Sequence, residues 1–477
     1  MNSTPKCLIL FAAAALLCAT ILGQSVSISQ VQRFPLADCD DVAFGPDGDL
    51  YFACHSPHDR LPVKVQGSKA TPDEMDAYVL RLNPRTGQLV FASRIGGKSY
   101  DGAWRVRVDR RGHAYATGLT RSADFPTTSN ALQRDLHGKS DAFLVEVGPD
   151  GKLLYSTLIG GSGDELGNGL DLDNASGVYL GGVTSSSDFN GRKHANASAD
   201  EDAFLCRIRS AARTASCVVF GGGKAEKLTG VALDGHRGIY MTGVTNSADF
   251  PTVDPLQKSL RGSSDVFLTR LALPAMKMTF STTFGGSGED SGWGIAVDRR
   301  GNPVVAGITD SLDLPGTVQS YQPANRGKKD AFVASFQLRN GRSIRATYMG
   351  GASDDESGYD GSNIKVDRDG TIWFVGTTYS DDFPTRKGSQ SRYGGGSGDG
   401  FVAAFDPLLK RLCFATYFGD GERNLLEGIA VSPKGLIAAT GVSLAGIPAP
   451  SLVQIGNLNL FAGHHVVLLP GSRVCDP

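Results

Sequence analysis

The chain has 477 residues, of which 40% are apolar and 20% charged, and this composition is typical of a folded protein. The formal net charge is −2, so charge gives no support for a general nucleic-acid or anionic-membrane binder. The 61 glycines follow no three-residue period and indicate many turns, and therefore many short strands.

Residues 1–23 are predicted to be a secretory signal. Lys6 precedes an apolar run from Cys7 to Leu22, and small residues lead to a cleavage site after Gly23. A membrane anchor is the alternative, but the run is short for a span. We therefore expect a secreted, periplasmic or cell-surface protein with no stable membrane span after cleavage, in a compartment where disulfides persist.

Three short motifs recur along the rest of the chain. An Asp-small-aromatic triplet begins at Asp76, Asp141, Asp202, Asp265, Asp330 and Asp399. A Gly-Gly pair begins at Gly96, Gly160, Gly221, Gly285 and Gly350, with a degenerate form at Gly419. An apolar-Asp pair ends at Asp109, Asp173, Asp234, Asp298 and Asp367, with degenerate forms at Gly45 and Ser432. Counting the third motif gives seven units, which indicates one repeat array rather than several domains.

Each unit contains strand-like runs separated by hairpin turns such as Arg110-Arg111-Gly112. Four antiparallel strands in each of seven units predict an all-β, seven-bladed β-propeller, and a parallel solenoid fits less well. The expected blades are residues 37–97, 98–161, 162–222, 223–286, 287–351, 352–419 and 420–477. The last unit lacks a fourth strand, so we expect residues 24–36 to complete it and close the ring.

These motifs resemble the bacterial seven-bladed β-propeller (SBBP) repeat over roughly residues 37–440. The resemblance rests on three stretches: Gly161-Ser-Gly-Asp-Glu165, Thr245-Asn-Ser-Ala-Asp-Phe-Pro-Thr252 and Leu154-Tyr-Ser-Thr157. It implies a secreted or cell-surface bacterial protein. It implies no single activity, and so no catalytic residues to transfer.

Six cysteines remain after the predicted signal is removed, and the strand order pairs them. Cys39 and Cys54 flank the first hairpin of blade one, and Cys206 and Cys217 face each other across a hairpin of blade three. Cys413 and Cys475 are then predicted to fasten the C-terminus to blade six, because neighbouring strands meet the distance that a disulfide needs. Free or metal-binding thiols are the alternative.

Strand directions place the long loops between the second and third strands, and the loops that join blades, on one face. The blade-joining loops are acidic. Their candidate metal ligands are Asp164, Glu165, Glu289, Asp290, Asp354 and Asp355. Such a set could hold Ca²⁺, the only cofactor that the sequence suggests. The alternative, which recurrence favours, is that these carboxylates accept bonds from backbone N–H groups in glycine-rich turns.

Departures from the repeat point to the channel axis, where most units carry Ala or Gly. The polar replacements are Arg105, Arg107, Asp171 and Lys365, and we expect Arg107 to be able to pair with Asp171 of the adjacent blade. Trp104 and Trp293 occupy equivalent positions nearer the mouth. Together these side chains could bind an anionic ligand or stack on a sugar, or could line a watery channel and pack between blades.

No nucleophile elbow, zinc-binding histidine motif or phosphate-binding loop is present in the sequence. The sequence therefore favours a scaffold that binds a protein or glycan on the long-loop face, with no catalytic residues assigned. The alternative is a carbohydrate-active lyase or hydrolase that uses the polar mouth of the channel. An acidic pair suited to glycoside cleavage stays open at this level.

Overall fold

The computed structural model describes residues 30–34, 38–56, 63–67, 74–173, 177–191, 200–209, 214–338, 342–359, 361–442, 464–470 and 474–475. For residues 30–34, 63–67 and 464–470 only the backbone is described. The predicted signal segment, residues 1–23, lies outside these ranges.

The described residues form thirty strands. Strand β1 is Gln30–Phe34. Blade one contains β2 (Asp38–Phe44), β3 (Leu50–Ser56), β4 (Val63–Gly67), β5 (Asp76–Asn83) and β6 (Gln88–Gly96). Blade two contains β7 (Asp101–Val108), β8 (Ala114–Thr120), β9 (Asp141–Val147) and β10 (Leu153–Ile159). Blade three contains β11 (Glu165–Leu172), β12 (Val178–Thr184), β13 (Asp202–Arg209) and β14 (Thr214–Phe220).

The second half of the chain continues the pattern. Blade four contains β15 (Glu226–Leu233), β16 (Gly238–Thr245), β17 (Asp265–Ala272) and β18 (Lys277–Phe284). Blade five contains β19 (Asp290–Val297), β20 (Pro303–Thr309), β21 (Asp330–Gln337) and β22 (Ser343–Met349). Blade six contains β23 (Asp355–Ser357), β24 (Ile364–Val366), β25 (Ile372–Thr378), β26 (Asp399–Phe405) and β27 (Leu412–Phe418). The last strands are β28 (Gly428–Val431), β29 (Leu436–Val442) and β30 (His464–Pro470).

Six blades are thus built from contiguous stretches of chain, and one further sheet is composite, with the order β1-β30-β29-β28. Within a blade, consecutive main strands pair antiparallel, which confirms the prediction of an all-β propeller with four antiparallel strands per blade. Two blades depart from it. In blade one, β4 adds a fifth strand that runs parallel to β6, and in blade six the inner strand is split into β23 and β24.

The first strand of each sheet lies nearest the axis. These inner strands contact one another in order around the ring, from β2 through β7, β11, β15, β19 and β24 to β28, and β28 contacts β2 again. The chain termini therefore meet in the composite sheet, where β1 pairs with β30. Closure of this kind leaves no free sheet edge at the junction of the termini.

Apolar packing lies between adjacent blades. One cluster, for example, joins Tyr240 and Phe280 of blade four to Ile295 and Phe332 of blade five. Each blade is therefore a thin sheet whose two faces are covered by its neighbours, and burial of these faces is what holds the ring together.

The Gly-Gly motif is explained by two carboxylates. A Cβ atom on Gly96 would overlap the carboxylates of Asp76 in the same blade and Asp101 in the next blade. The same arrangement recurs at Gly160, Gly221, Gly285 and Gly350. The motif is required because the end of each outer strand passes between a pair of buried acids.

The three predicted disulfides are present: Cys39–Cys54, Cys206–Cys217 and Cys413–Cys475. The last one ties the C-terminal segment to the first residues of the outer strand of blade six.

The loops between second and third strands fold down over the outer strands. Thr128 donates its backbone N–H to the carbonyl of Ser156 (3.0 Å), and Val253 does the same to Ser281 (3.0 Å). Arg386 bonds in the same way to Ala415 (2.9 Å). These loops cover the exposed edge of each blade and so remove a site of unwanted strand pairing.

Candidate functional site

A β-bulge near the middle of each continuous inner strand in blades one to five determines what faces the axis. The register shifts fall at equivalent positions in β2, β7, β11, β15 and β19. The bulged residues are Asp40, Trp104, Asn168, Thr229 and Trp293. A bulge re-aims the side chain that it carries, so this level of the channel can differ in each blade while the sheets stay regular.

Blade six carries an insertion where the other blades carry a bulge. Residues 358–359 and 361–363, between β23 and β24, form what we call the plug. Gly361 forms a bridge with Gly294 of blade five, and the carbonyl of Ser362 accepts a bond from the backbone N–H of Ile429 (3.0 Å). A Cβ atom on Gly361 would overlap the carbonyl oxygen of Thr229 in blade four. The plug therefore crosses the channel and contacts blades on several sides of it.

Arg105 fills the space next to the plug and is only 2% exposed. Its guanidinium donates to the carbonyl of Trp104 (2.7 Å) and to the carbonyl of Thr229 across the axis (3.5 Å). Anion binding by Arg105 stays a prediction, and the structure gives its guanidinium carbonyl partners within the protein.

Arg107 pairs with a residue that the sequence analysis did not select. Its guanidinium lies 2.8 Å from Asp41, which is fully buried and also accepts the backbone N–H of Val106 (3.0 Å). Arg107 donates further to the hydroxyl of Ser362 in the plug (3.3 Å). The expected pair of Arg107 with Asp171 is replaced by this pair with Asp41 of blade one.

Asp171 instead binds backbone. Its carboxylate accepts the N–H groups of Leu172 (2.9 Å) and of Leu233 in blade four (2.8 Å), so it links blades three and four. Lys365 is partly exposed beside this group. Burial, followed by the neighbouring charge of Arg107, lowers the pKa of Lys365 to about 8, against the opposing effect of Asp41 and Asp171.

The structure thus brings Arg105, Arg107, Asp171 and Lys365 together around the axis, with Asp41 added. Three cations and two carboxylates meet there, and the Arg107–Asp41 pair is closed. Removing Arg107 or Asp41 would leave its partner as an uncompensated charge, so loss of either residue should be costly.

The mouth of the channel on the long-loop face is aromatic. Tyr359, in the plug, is 42% exposed, and its ring packs edge-on against Trp293 at 4.9 Å between centroids. Trp104 is partly exposed at the equivalent bulge of blade two. On the same face, Arg423 donates to the hydroxyl of Tyr379 (3.2 Å). An exposed aromatic ring that a second ring holds in place is a common platform for sugars and for protein side chains.

Three of the predicted metal ligands are buried and already used. Asp290 accepts the backbone N–H of Gly286 (2.7 Å) and the hydroxyl of Ser311 (2.8 Å). Asp355 does the same with Gly351 (2.7 Å) and Ser380 (2.8 Å). Glu165 accepts the N–H of Gly161 (2.7 Å). Burial raises the pKa of Asp290 to about 6 and that of Asp355 to about 7, and it also raises the pKa of Glu165.

The other three predicted ligands lie at the surface. Asp164 accepts the hydroxyl of Ser140 (3.0 Å), Glu289 lies 3.9 Å from Lys329, and Asp354 accepts the backbone N–H of Lys329 (3.3 Å). Among the described residues, no group of three or more His, Cys, Asp or Glu side chains is arranged to hold a metal ion. The geometry favours the turn-forming role of these acids, and Ca²⁺ binding stays a proposal.

Two parts of the axial group were not found from the sequence. Asp41 occupies the same position as Arg105 when units are aligned, but the degenerate anchor of the first unit, Phe44-Gly45, hid it. The plug had a signal too: six residues, Gly358 to Asn363, separate the two halves of one inner strand, and the spacing in the sixth unit is correspondingly longer.

No family model matches this chain, and no curated protein matches it. Among solved structures, the WD40 domain of Neurospora crassa Pan2 is similar at 10% identity and a TM-score of 0.49, over 94% of this chain and 97% of that one. An ulvan lyase, a polysaccharide lyase, is similar at 10% identity and a TM-score of 0.45, over 92% and 95%. The β-propeller domain of the Trilobed protease from Pyrococcus furiosus is similar at 8% identity and a TM-score of 0.41, over 87% and 94%.

These likenesses concern the fold alone, and the three proteins have different activities. Within the described residues, no helix reaches the length and apolarity that crossing a membrane requires.

Proposed function

We propose that this chain is a secreted or cell-surface scaffold of the SBBP repeat family that binds a protein or glycan partner on its long-loop face. In this proposal the composite sheet serves as the seventh blade and closes the ring. The three disulfides suit an oxidising compartment.

The observation that carries the proposal is the aromatic mouth above a sealed channel. Tyr359 is exposed and supported by Trp293, while the plug and Arg105 close the channel beneath it. The mouth is therefore a shallow surface for docking and not an opening to a deep cavity.

An ordered surface binds a partner more tightly than a mobile one, and side-chain hydrogen bonds hold the neighbouring loops in place. Gln257 donates its side-chain amide to Asp265 (2.6 Å), and Gln322 donates in the same way to Asp330 (2.8 Å). Because these loops are ordered before a partner arrives, less conformational entropy is lost on binding.

The competing enzyme hypothesis depended on the polar axial residues. Arg105 is enclosed and Arg107 is paired with Asp41, so two of the residues assigned to that hypothesis are engaged within the protein. We therefore assign no catalytic role to them.

The test is a binding screen of the mature protein against immobilised glycans and cell-surface extracts, with Tyr359→Ala as the test variant. We expect this variant to weaken binding of any mouth ligand about tenfold, since a stacked ring contributes roughly 1 kcal/mol or more. Tyr321→Ala is the matched control, because Tyr321 is exposed to a similar degree (36%) but lies on the loop that covers blade five. Equal loss in both variants, or in neither, would exclude the mouth as the binding surface.

A further inference from the structure

The junctions between blades on the turn face, which carries the tight hairpin turns, are filled by a recurring trio. In blade four, Tyr240 of β16 lies opposite Arg270 of β17, and the guanidinium of Arg270 stacks on the tyrosine ring at 5.8 Å. Arg270 also binds Asp234 at 2.5 Å. Blade three repeats this with Tyr179, Arg207 and Asp173. Blade one repeats it with Tyr51, Arg81 and Asp49.

Blade five has lost the trio. The strand registers place Val304 where blade four has Tyr240, and Ser335 where it has Arg270. The next residue in the row is Arg345, where blade four has Phe280. Along this row, Tyr240, Arg270 and Phe280 of blade four are thus replaced by Val304, Ser335 and Arg345 of blade five.

The space left between blades five and six is a groove of about 280 Å³. Four arginines line it: Arg299, Arg300, Arg345 and Arg368. Val304 and Ile372 form part of its wall, and the 46% exposed side chain of Leu408 lies at its edge. We call this space the arginine groove.

The arginine groove is lined by more positive than negative side chains. Two acids, Asp298 and Asp369, line it against the four arginines. Asp298 is occupied by the backbone N–H groups of Arg300 (2.8 Å) and Asn302 (2.8 Å). Within the described part of the chain, none of the four arginines forms an ion pair.

The same position between blades two and three shows the contrast. There Arg111 lies 2.9 Å from Asp109 and 4.0 Å from Glu146, and Tyr115 is retained. Arg111 at that junction is thus paired with this chain's own acids, whereas within the described residues the four arginines of the arginine groove form no ion pair.

We propose that the arginine groove binds the carboxylate or sulfate group of an acidic saccharide. Guanidinium groups match such planar or tetrahedral oxyanions with paired hydrogen bonds, and the apolar wall suits the C–H face of a sugar ring. The volume lies near the lower limit for ligand pockets, which fits a single charged unit of a longer chain.

An acidic peptide is less well suited, since a bound peptide commonly adds to a free strand edge. The edge beside the groove is taken, because Ala346 of the outer strand β22 donates its N–H to the carbonyl of Gly316 (3.0 Å).

The experiment is calorimetric titration of the full mature chain with three probes: an oligogalacturonate, a sulfated galactan oligosaccharide and a neutral galactan oligosaccharide. We expect one or both acidic probes to bind, with an affinity that falls as salt increases, and the neutral probe not to bind. Arg345→Ala should weaken binding about tenfold, the effect of one charge-assisted contact. Val304→Tyr places a tyrosine ring in the groove, as at a filled junction, and should abolish binding of the acidic probes.

Arg342→Ala is the matched control. It removes an equal charge from the same region of blade five, but Arg342 pairs with Asp254 and stacks on Phe280, away from the groove. Equal weakening by Arg342→Ala and Arg345→Ala, or no binding of either acidic probe, would overturn the proposal. Tighter binding of a hexaglutamate peptide would overturn it in favour of a peptide ligand. Tyr359→Ala should leave binding unchanged, which separates this site from the aromatic mouth.

Discussion

The junction between blades four and five and the junction between blades five and six share a framework and differ in their filling. In the first, Tyr240 is buried beneath Arg270. In the second, Val304 and Ser335 leave a groove. Both retain the same pair of buried acids at the long-loop end, Asp265 with Asp290 and Asp330 with Asp355.

The comparison separates what the ring requires from what it can exchange. Contacts between inner strands and the acid pairs are present at both junctions, so they belong to the framework. The large side chains at the turn face are present at the junction between blades four and five and absent from the junction between blades five and six. The side chains at the turn face of a junction can therefore differ from blade to blade while the ring stays closed.

The largest expected effect comes from emptying the filled junction. Tyr240→Val should reduce the free energy of unfolding by about 3 kcal/mol, because it leaves a cavity beneath Arg270. The reciprocal Val304→Tyr should change it by less than about 1 kcal/mol, because its ring enters existing space. Urea unfolding of both variants measures the difference. A similar loss of unfolding free energy in both variants would mean that the two junctions do not share one framework that is filled at the first and open at the second.

The next effect tests the shared framework. Gly285→Ala and Gly350→Ala should each cost about 2 kcal/mol, because the new methyl group overlaps a carboxylate pair at either junction. Gly421→Ala is the control, since a Cβ atom there meets no atom within 4 Å. The same urea experiment applies. If the alanine substitution lowered the free energy of unfolding at only one of the two positions, the acid pairs would not be a framework element common to both junctions.

The recurring motifs were enough to predict the strand pattern and the disulfides, because each motif is a local requirement that repeats. Gly-Gly recurs since two acids flank it, and Asp76 or Asp141 recurs since it is one of them. The axial group was only half predicted. Its polar residues were found as departures from the repeat, but their partners depend on which blades meet at the axis. Asp41 and the plug therefore needed the three-dimensional arrangement.

The course of the long loops could not be predicted from strand directions alone, and for a similar reason. Whether a loop projects or folds down depends on hydrogen bonds to another strand, such as that from Thr128 to Ser156. A signal existed in the recurring glutamines Gln133, Gln257, Gln322 and Gln390, each of which donates to the Asp of the next triplet. Alignment of the loops would have revealed it.

The third prediction concerns pH and has the same sign at both junctions. The pKa of Asp355 is raised to about 7 by burial, above its ordinary value. A raised pKa contributes stability below the unfolded-state pKa that is lost as the pH rises through the folded-state pKa. We therefore expect the free energy of unfolding to fall between about pH 4 and about pH 7, by up to about 1.4 kcal/mol per pH unit for each such carboxyl group.

Asp355→Asn should flatten this dependence, and Asp290→Asn should flatten it in a narrower range, because the pKa of Asp290 is raised only to about 6. Thermal unfolding measured across that range checks both. Asp354→Asn is the neighbouring control, on a partly exposed side chain. A profile that stays steep in Asp355→Asn would show that the slope comes from other groups.

The smallest expected effect returns to the filled junction and has the opposite sign in pH. Arg270 binds Asp234, and although burial opposes it, this pairing together with the bonds from the backbone N–H groups of His236 and Gly238 lowers the pKa of Asp234. A lowered pKa contributes stability above the unfolded-state pKa that is lost as the pH falls through the folded-state pKa. Arg270→Ser copies the residue of blade five and should cost about 1 kcal/mol near neutral pH, and less at about pH 3. Because the Asp355 contribution is fully present in acid and is lost as the pH rises, one pH series distinguishes the two effects. A cost that stayed the same in acid would mean that Arg270 stabilises the junction by stacking on Tyr240 and not through its ion pair.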